Sequence, residues 1–463
     1  MGTPMHGVTD NLTFDQSEGN MDTSMTNQTD AKQETNPIPA MDVKQRLSLI
    51  PLWATIVSYI VGFLWTTCMV AKYDWMPDHG MITLFTVIFF FWAEMAMKSI
   101  PRPGKECWFW MACAIAIAIG MDIPHGTYVD GKDDIWPVRP MLDGWNYLAL
   151  HGIAIYWILC RSGRLIDKKT GSMFILDVLT GTVIAPLRGI PNRIRRIVYE
   201  FNDPKSSALN LRNVTLTLVS ILLTLPVLAI VIYLLGRADN TFDNLISSIL
   251  ASFELDTETL IRFIYGVFVS GFVFSLMSSC VIWENPVFSG EKIRNALESF
   301  RILPIASCAI IYGIFISVYL LFFGVQGSHL IGAFHAEIPG DLTAAEYARS
   351  GFFELCTVSA INFGLIAANS VLSKVQTHKS GLLRTMTMIL LIENILLAIT
   401  ASSKLILYIE RFGFTTNRLL SFWAVLVLTC ACILSIIAIY DNKSHFSKWI
   451  WFSAATFVPL CYF

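Results

Sequence analysis

Charged residues are scarce in this sequence. Only 15% of its 463 residues are Asp, Glu, Lys or Arg, whereas soluble domains carry about 25%. The formal net charge of -2 excludes the basic footprint with which nucleic-acid-binding proteins neutralise phosphate. The ten cysteines include no C-x-x-C pair, so neither a redox dithiol nor a cysteine zinc site is indicated.

The sequence motifs of soluble enzymes are also absent. There is no nucleophile elbow, P-loop, Rossmann fingerprint or H-E-x-x-H, each of which would place a specific chemistry. His329, His335 and Glu337 could supply metal ligands, but their spacing matches no zinc pattern. We therefore predict no metal and no cofactor, and no catalytic residue can be assigned.

Apolar residues, in contrast, are abundant and occur in long runs. Hydrophobic residues make up 54% of the chain, and the mean hydropathy is +0.56. A membrane-spanning helix needs about 20 mostly apolar residues. The candidate spans lie near 50–71, 80–98, 107–123, 142–160, 214–236, 261–283, 302–323, 351–372, 384–407, 417–440 and 447–462. The predicted fold class is all-α, an integral membrane bundle of about eleven transmembrane helices.

The connections between these spans alternate in charge. Basic residues such as Lys98 follow the even-numbered spans, and acidic residues such as Asp74 follow the odd-numbered ones. Because Lys and Arg concentrate in cytoplasmic loops, we predict a cytoplasmic N-terminus and an outer C-terminus in a bacterial inner (plasma) membrane. Lys404, Arg411 and Arg418 depart from this pattern, since they fall on the outer side.

The sequence divides into a polar tail and a membrane domain. Residues 1–45 are polar and nearly free of branched apolar residues, so we predict a disordered cytoplasmic tail. Residues 46–463 form the polytopic membrane domain.

A basic amphipathic connection, residues 161–213, lies within the membrane domain. Apolar residues recur there at roughly helical spacing with basic residues between them. Such a segment is predicted to lie flat on the inner leaflet. Arg193, Arg195 and Arg196 would then contact anionic lipid head groups, which makes the bilayer the predicted partner. Protein partners are not indicated.

Ionisable residues inside the spans are the first place to look for function. A charged side chain at the bilayer centre costs about 2.5–3.5 kcal/mol on insertion scales. The intramembrane polar residues are Glu94, Glu354, Glu393 and Asn394. Glu393 is expected to need a partner from another span, such as Glu354, Asn362 or Asn369. Two interpretations stay open for it: a proton or cation relay, and a buried polar network that fixes helix packing.

A second group of polar residues is predicted on the outer face. This polar outer cluster comprises Gln326, Glu346, Tyr347, Arg349, Gly351, Tyr408, Gly413, Thr415 and Arg418. Glu346 and Arg349 are three residues apart and can share one helical face. Glycine permits close backbone turns, so we expect Arg418 to approach Glu346. The cluster would be either a structural clasp or the floor of an outward-facing cleft.

These runs carry a resemblance to a known family. The stretches FFGVQGSHLIGAF, AAEYARSGFFELCTVSAIN and LILYIERFGFTTNRLLSFWAVL resemble the C-terminal half of an uncharacterised bacterial family of polytopic membrane proteins, defined only as a domain of unknown function. The resemblance implies a membrane-embedded helical fold and no particular activity. The long polar tail and Glu393 depart from the family pattern.

Three functions are compatible with the sequence. The favoured one is a transporter or permease for a small solute, in which Glu393 and the polar outer cluster line the path. An envelope signalling or assembly component would instead hold partners through the basic connection and the tail. A membrane enzyme acting on a lipid-linked substrate would use an interfacial acid or base such as Glu346.

Overall fold

The computed structural model describes residues 43–69, 81–101, 104–123, 140–201, 220, 224, 227–252, 257–283, 286–334 and 352–462. These residues belong to one compact unit, Asp42–Phe463. They form helices joined by short connections, with one isolated bridge between Leu303 and Ser373. The all-α prediction is confirmed.

The first helices lead from the start of the described chain to the basic connection. They are α1 Val43–Ser48, α2 Leu52–Met69, α3 Met81–Ala96, α4 Glu106–Asp122, α5 Pro140–Arg161, α6 Phe174–Leu179, a π-helical turn Thr180–Ile184, α7 Ala185–Gly189 and α8 Asn192–Phe201. The next are α9 Val227–Ala238, α10 Asn240–Ser252, α11 Thr257–Ile282 and α12 Gly290–Ser299. The last are α13 Ile305–Phe334, α14 Phe352–Leu372, a 3₁₀ turn Thr377–Lys379, α15 Gly381–Phe412, α16 Thr416–Asp441, α17 Phe446–Phe457 and a 3₁₀ turn Val458–Tyr462.

Six helices in the described part of the chain are long and apolar enough to cross a membrane, namely α2, α11, α13, α14, α15 and α16. A seventh span results if the pair Phe174–Gly189 and Asn192–Tyr199, bent by 43°, is counted as one. Some of the other predicted spans are helical but shorter. Helix α3, for example, has 16 residues and a length of about 24 Å, which is less than the roughly 30 Å hydrocarbon core.

The largest hydrophobic core lies among α2, α3, α4, α5 and α11, with α17 packed against them. Helices α2 and α11 make a very close contact within it. A Cβ atom added at Gly62 would overlap the carbonyl oxygen of Gly266 and crowd Ser270. Small residues let the backbones of membrane helices approach closely. Such packing matters because the hydrophobic effect does not drive helices together in lipid.

Helices α13, α14, α15 and α16 form a second group with two smaller cores of their own. Tryptophans on α16 and α17 help to join this group to the first. The Trp423 indole donates to Thr456 Oγ1 at 3.1 Å, and the Trp449 indole donates to the Val427 carbonyl at 3.0 Å. Each indole thus has a partner within the protein.

The structure corrects the expectation for the basic connection. Its described part, α6 to α8, packs into the bundle, and a Cβ atom at Gly189 would overlap the Ser275 carbonyl of α11. The apolar side chains Leu187 and Ile190 are 62% and 60% exposed, while Arg193 is buried. The segment is amphipathic as predicted. The face that carries Arg193 and Arg196, however, turns toward protein. This orientation is expected of a helix whose surroundings are apolar lipid.

Candidate functional site

Paired polar side chains lie at the centre of the C-terminal helices. Helices α13, α14 and α15 each carry two of them seven residues apart: Tyr312 and Tyr319, Asn362 and Asn369, and Thr387 and Asn394. Seven residues are about two helical turns, so each pair lies on one face. The bridge from Leu303 to Ser373 joins the start of α13 to the end of α14, so these helices are antiparallel. The six side chains therefore form two layers about 10 Å apart.

The first layer is a hydrogen-bonded chain across four helices. The Tyr319 hydroxyl donates to Asn362 Oδ1 at 2.6 Å, and Asn362 Nδ2 donates to Asn394 Oδ1 at 3.3 Å. Asn394 Nδ2 then reaches Cys432 Sγ on α16 at 3.3 Å. All four side chains are buried. The chain thus fixes the orientation of both amides.

Glu393 lies beside this layer and is the least satisfied group in it. The residue is only 3% exposed, and neither carboxylate oxygen has a hydrogen-bond partner among the described residues. Tyr319 lies near enough to interact with it electrostatically, but the Tyr319 hydroxyl is already bonded to Asn362. Glu393 is about 18 Å along α15 from Gly381, which is deep within the span. The carboxyl therefore retains capacity for a proton or a ligand.

The second layer is also incompletely bonded. Tyr312 lies near Thr387 and Asn369, and the Thr387 hydroxyl donates to the Leu383 carbonyl at 2.7 Å. Both amide atoms of Asn369 are buried without a well-aligned hydrogen bond in the described structure. A buried amide in this state costs about 1–3 kcal/mol. It marks a second place where polar capacity is unused.

Polar residues continue along α15 beyond the two layers. Thr400 and Ser403 are buried, and Lys404 interacts electrostatically with Glu354 of α14. From Thr387 to Lys404 the helix rises about 25 Å, close to the thickness of the hydrocarbon core. Glu354, predicted as an intramembrane residue, is exposed near the start of α14. It lies well away from Glu393 along the bundle.

The polar outer cluster is described only in part. Glu346, Tyr347, Arg349 and Gly351 lie outside the described residues, and Gln326 lies on α13. The Arg418 guanidinium stacks over the Tyr408 ring at 4.0 Å and donates to the Gly413 carbonyl. Gly413 has a positive φ of 76°, which glycine adopts without strain, and Thr415 is the N-cap residue of α16. The approach of Arg418 to Glu346 stays a prediction.

Glu94 lies in the other helix group and has a partner that the sequence did not indicate. Arg161 Nε donates to its two carboxylate oxygens at 2.9 and 3.0 Å. The same guanidinium donates to the carbonyls of Ile100 and Met97 at the end of α3. A cation is favourable there because carbonyls accumulate at a helix C-terminus. Glu94 is therefore a paired structural residue, separate from Glu393.

The three arginines predicted at lipid head groups divide between two environments. Arg193 Nη2 donates to Ser58 Oγ at 2.9 Å and to Ser270 Oγ and the Ser270 carbonyl, both at 2.7 Å. Arg196 Nε donates to the Ile50 carbonyl at 2.6 Å. The placement of Arg193 and Arg196 at head groups is thus corrected, since both are buried against protein. Arg195 is exposed, and its head-group contact stays a prediction.

Neither Tyr312, Tyr319, Thr387 nor Cys432 was singled out from the sequence. The repeated spacing of seven residues on three consecutive spans was the available signal. It identifies which residues share a face but not which faces meet. The described residues contain no group of three or more His, Cys, Asp or Glu that could hold a metal ion.

The apolar helices and the buried polar layers define a membrane-embedded helical protein. The chain belongs to the family described as Domain of unknown function (DUF4153), whose profile matches residues 109–463. This match confirms the resemblance and extends it beyond the C-terminal half. No curated protein matches the chain significantly, and no solved structure does so either.

Proposed function

We propose that the protein is a transporter that moves a small solute through its C-terminal helices, with Glu393 as the residue that binds the solute or a coupling proton. The observation that carries this proposal is the Glu393 carboxyl, buried deep in α15 with both oxygens unpartnered among the described residues. Solute sites of many transporters lie near the bilayer midplane.

The cost of burial supports a functional role for Glu393. A carboxylate at the bilayer centre costs about 2.5–3.5 kcal/mol on insertion scales. Glu94, by comparison, has a guanidinium partner at 2.9 Å. Without such a partner, Glu393 is stabilised when it takes up a proton or a cationic ligand. A residue of this kind can alternate between loaded and unloaded states.

The two polar layers supply further contacts along the same path. Asn369 offers an amide group in the neighbouring layer, and the buried Thr400 and Ser403 continue the path along α15 toward one end. A cavity of about 450 Å³ separates α14 from α16 near Phe363 and Leu434. This gap leaves room for α14 to shift relative to α16.

The finer features of the membrane arrangement belong to the same proposal. We place about eleven spans in an inner membrane, with the N-terminus in the cytoplasm and the C-terminus outside. The cytoplasmic side would be the end of the bundle at which α11 ends. This assignment is supported by Arg46 and Arg164, which donate there to the carbonyls of Ile282 and Cys280. At the other end of α3, Asp122 accepts from the amides of Ile82 and Thr83. The polar outer cluster would line the path at that opposite end.

Two measurements test the role of Glu393. A hydrophobic carbodiimide, which modifies protonated carboxyls in apolar surroundings, should label Glu393 in reconstituted vesicles, and mass spectrometry locates the adduct. Glu393→Gln should abolish this adduct, while Glu354→Gln, a matched change at an exposed carboxyl of the same helix group, should leave it.

The second measurement is the charge displacement that follows a pH jump on protein-loaded solid-supported membranes. We expect a transient current from wild-type protein and from Glu354→Gln, and its loss in Glu393→Gln at equal protein. Equal currents in all three proteins would show that Glu393 does not bind protons and would overturn the proposal. A carbodiimide adduct found only at residues other than Glu393 would do the same.

A further inference from the structure

An apolar cavity lies in the first helix group, away from Glu393. It lies between α2, α3, α5 and α11 and has a volume of about 220 Å³. An engineered cavity of about 150 Å³ lined by apolar side chains stays dry and takes up benzene or xenon. The cavity between these helices therefore has room for an apolar guest.

The few polar groups on its wall are already bonded within the protein. The Trp65 indole donates to His151 Nε2 at 2.8 Å, so Nε2 carries no proton. His151 Nδ1 then holds the proton of a neutral imidazole and donates it to the Tyr147 carbonyl at 2.7 Å. The Thr86 hydroxyl donates to the Ile82 carbonyl at 2.7 Å. A guest would meet hydrocarbon and aromatic surface without a free hydrogen-bonding group.

We propose that this cavity binds one hydrocarbon chain of a bilayer phospholipid. Helices α2 and α11 are candidate membrane spans, and Leu84 and Phe91 on the outer side of α3 are exposed, so lipid surrounds the helix group. Several wall residues, among them Ala154 and Val269, are only half-buried, and the cavity is not fully enclosed. A chain gains dispersion contacts that an empty cavity forfeits.

The two faces of α3 allow a test in the wild-type protein. Proteoliposomes containing a phospholipid with a diazirine in its acyl chain are irradiated, and adducts are assigned to single residues by mass spectrometry. Ordinary surface lipid should label Leu84 and Phe91. A chain in the cavity should also label Phe85 and Phe89, which line it. Adducts confined to Leu84 and Phe91 would overturn the proposal.

A matched pair of variants adds a second test. Ala154→Phe fills the cavity, whereas Ala112→Phe makes the same change at an exposed position of α4. We expect Ala154→Phe to lose the adducts at Phe85 and Phe89 and Ala112→Phe to retain them. Retention in both variants would contradict the inference. If Ala154→Phe does not fold, the wild-type labelling pattern decides.

Discussion

Replacement of Arg161 by methionine tests whether the first helix group is stabilised by a buried ion pair. The Arg161 side chain is 3% exposed. It donates to Glu94 at 2.9 and 3.0 Å and to the carbonyls of Ile100 and Met97 at 3.2 and 3.3 Å. Arg161→Met removes all four hydrogen bonds at once.

The magnitude follows from what each substitution leaves behind. Arg161→Met removes the guanidinium that faces Glu94, and breaking a buried pair costs about 3–5 kcal/mol. Glu94→Gln retains the two bonds from Arg161 to backbone carbonyls, and the Glu94 side chain is partly exposed at 18%. We expect about 1–3 kcal/mol for that change. The double variant should lose less than the sum, with a coupling of about 0.5–3 kcal/mol.

Unfolding in mixed detergent micelles, followed with a thiol-reactive dye, provides the assay. Eight of the ten free cysteines are buried, so unfolding exposes new thiols. Arg195→Met, at an exposed position of α8, is the control and should change the free energy of unfolding by about 0.5 kcal/mol or less. Additive effects in the double variant, or a larger loss from Glu94→Gln than from Arg161→Met, would refute the reasoning.

Two further predictions use the same assay. Arg193→Met should change the free energy of unfolding by only about 1 kcal/mol. No carboxylate forms an ion pair with Arg193 among the described residues, and replacing such a buried charge by an apolar chain is often neutral. A loss as large as that of Arg161→Met would contradict this prediction. Gly62→Val should sharply reduce the yield of folded protein, since its side chain would overlap Gly266. Gly271→Val is the control and should be tolerated, because a Cβ atom at Gly271 meets no atom within 4 Å. Equal yields of the two variants would argue against the α2–α11 contact.

The position of Glu393 could be predicted from the sequence because a single ionisable residue stands out in a long apolar run. Its surroundings could not, since they depend on which helices are neighbours. Tyr319, Asn362 and Asn394 are separated by 43 and 32 residues in the chain. The spacing of seven residues shows that each pair shares a face, but the antiparallel placement of α14 is a tertiary property.

Arg161 and Arg193 show the opposite limitation. The distribution of basic residues treats each arginine as solvent-facing. The final carbonyls of a buried helix need donors, and arginine can deliver several at once. Arg161 therefore turns inward to the end of α3. Arg193 also turns inward, but its partners Ser58 and Ser270 lie within α2 and α11. A charge count alone cannot separate these residues from Arg195.

The two helix groups use buried polarity in different ways. In the first group, Arg161 is matched by a carboxylate and by helix-end carbonyls. In the second, Asn369 and Glu393 each have both terminal atoms buried without a well-aligned hydrogen bond, and no other described side chain does so. A bundle held only for stability gains nothing from such groups, because apolar residues of similar size would pack there without the desolvation cost. The unused capacity at Glu393 and Asn369 is therefore the structural feature that supports the proposed site in the C-terminal helices.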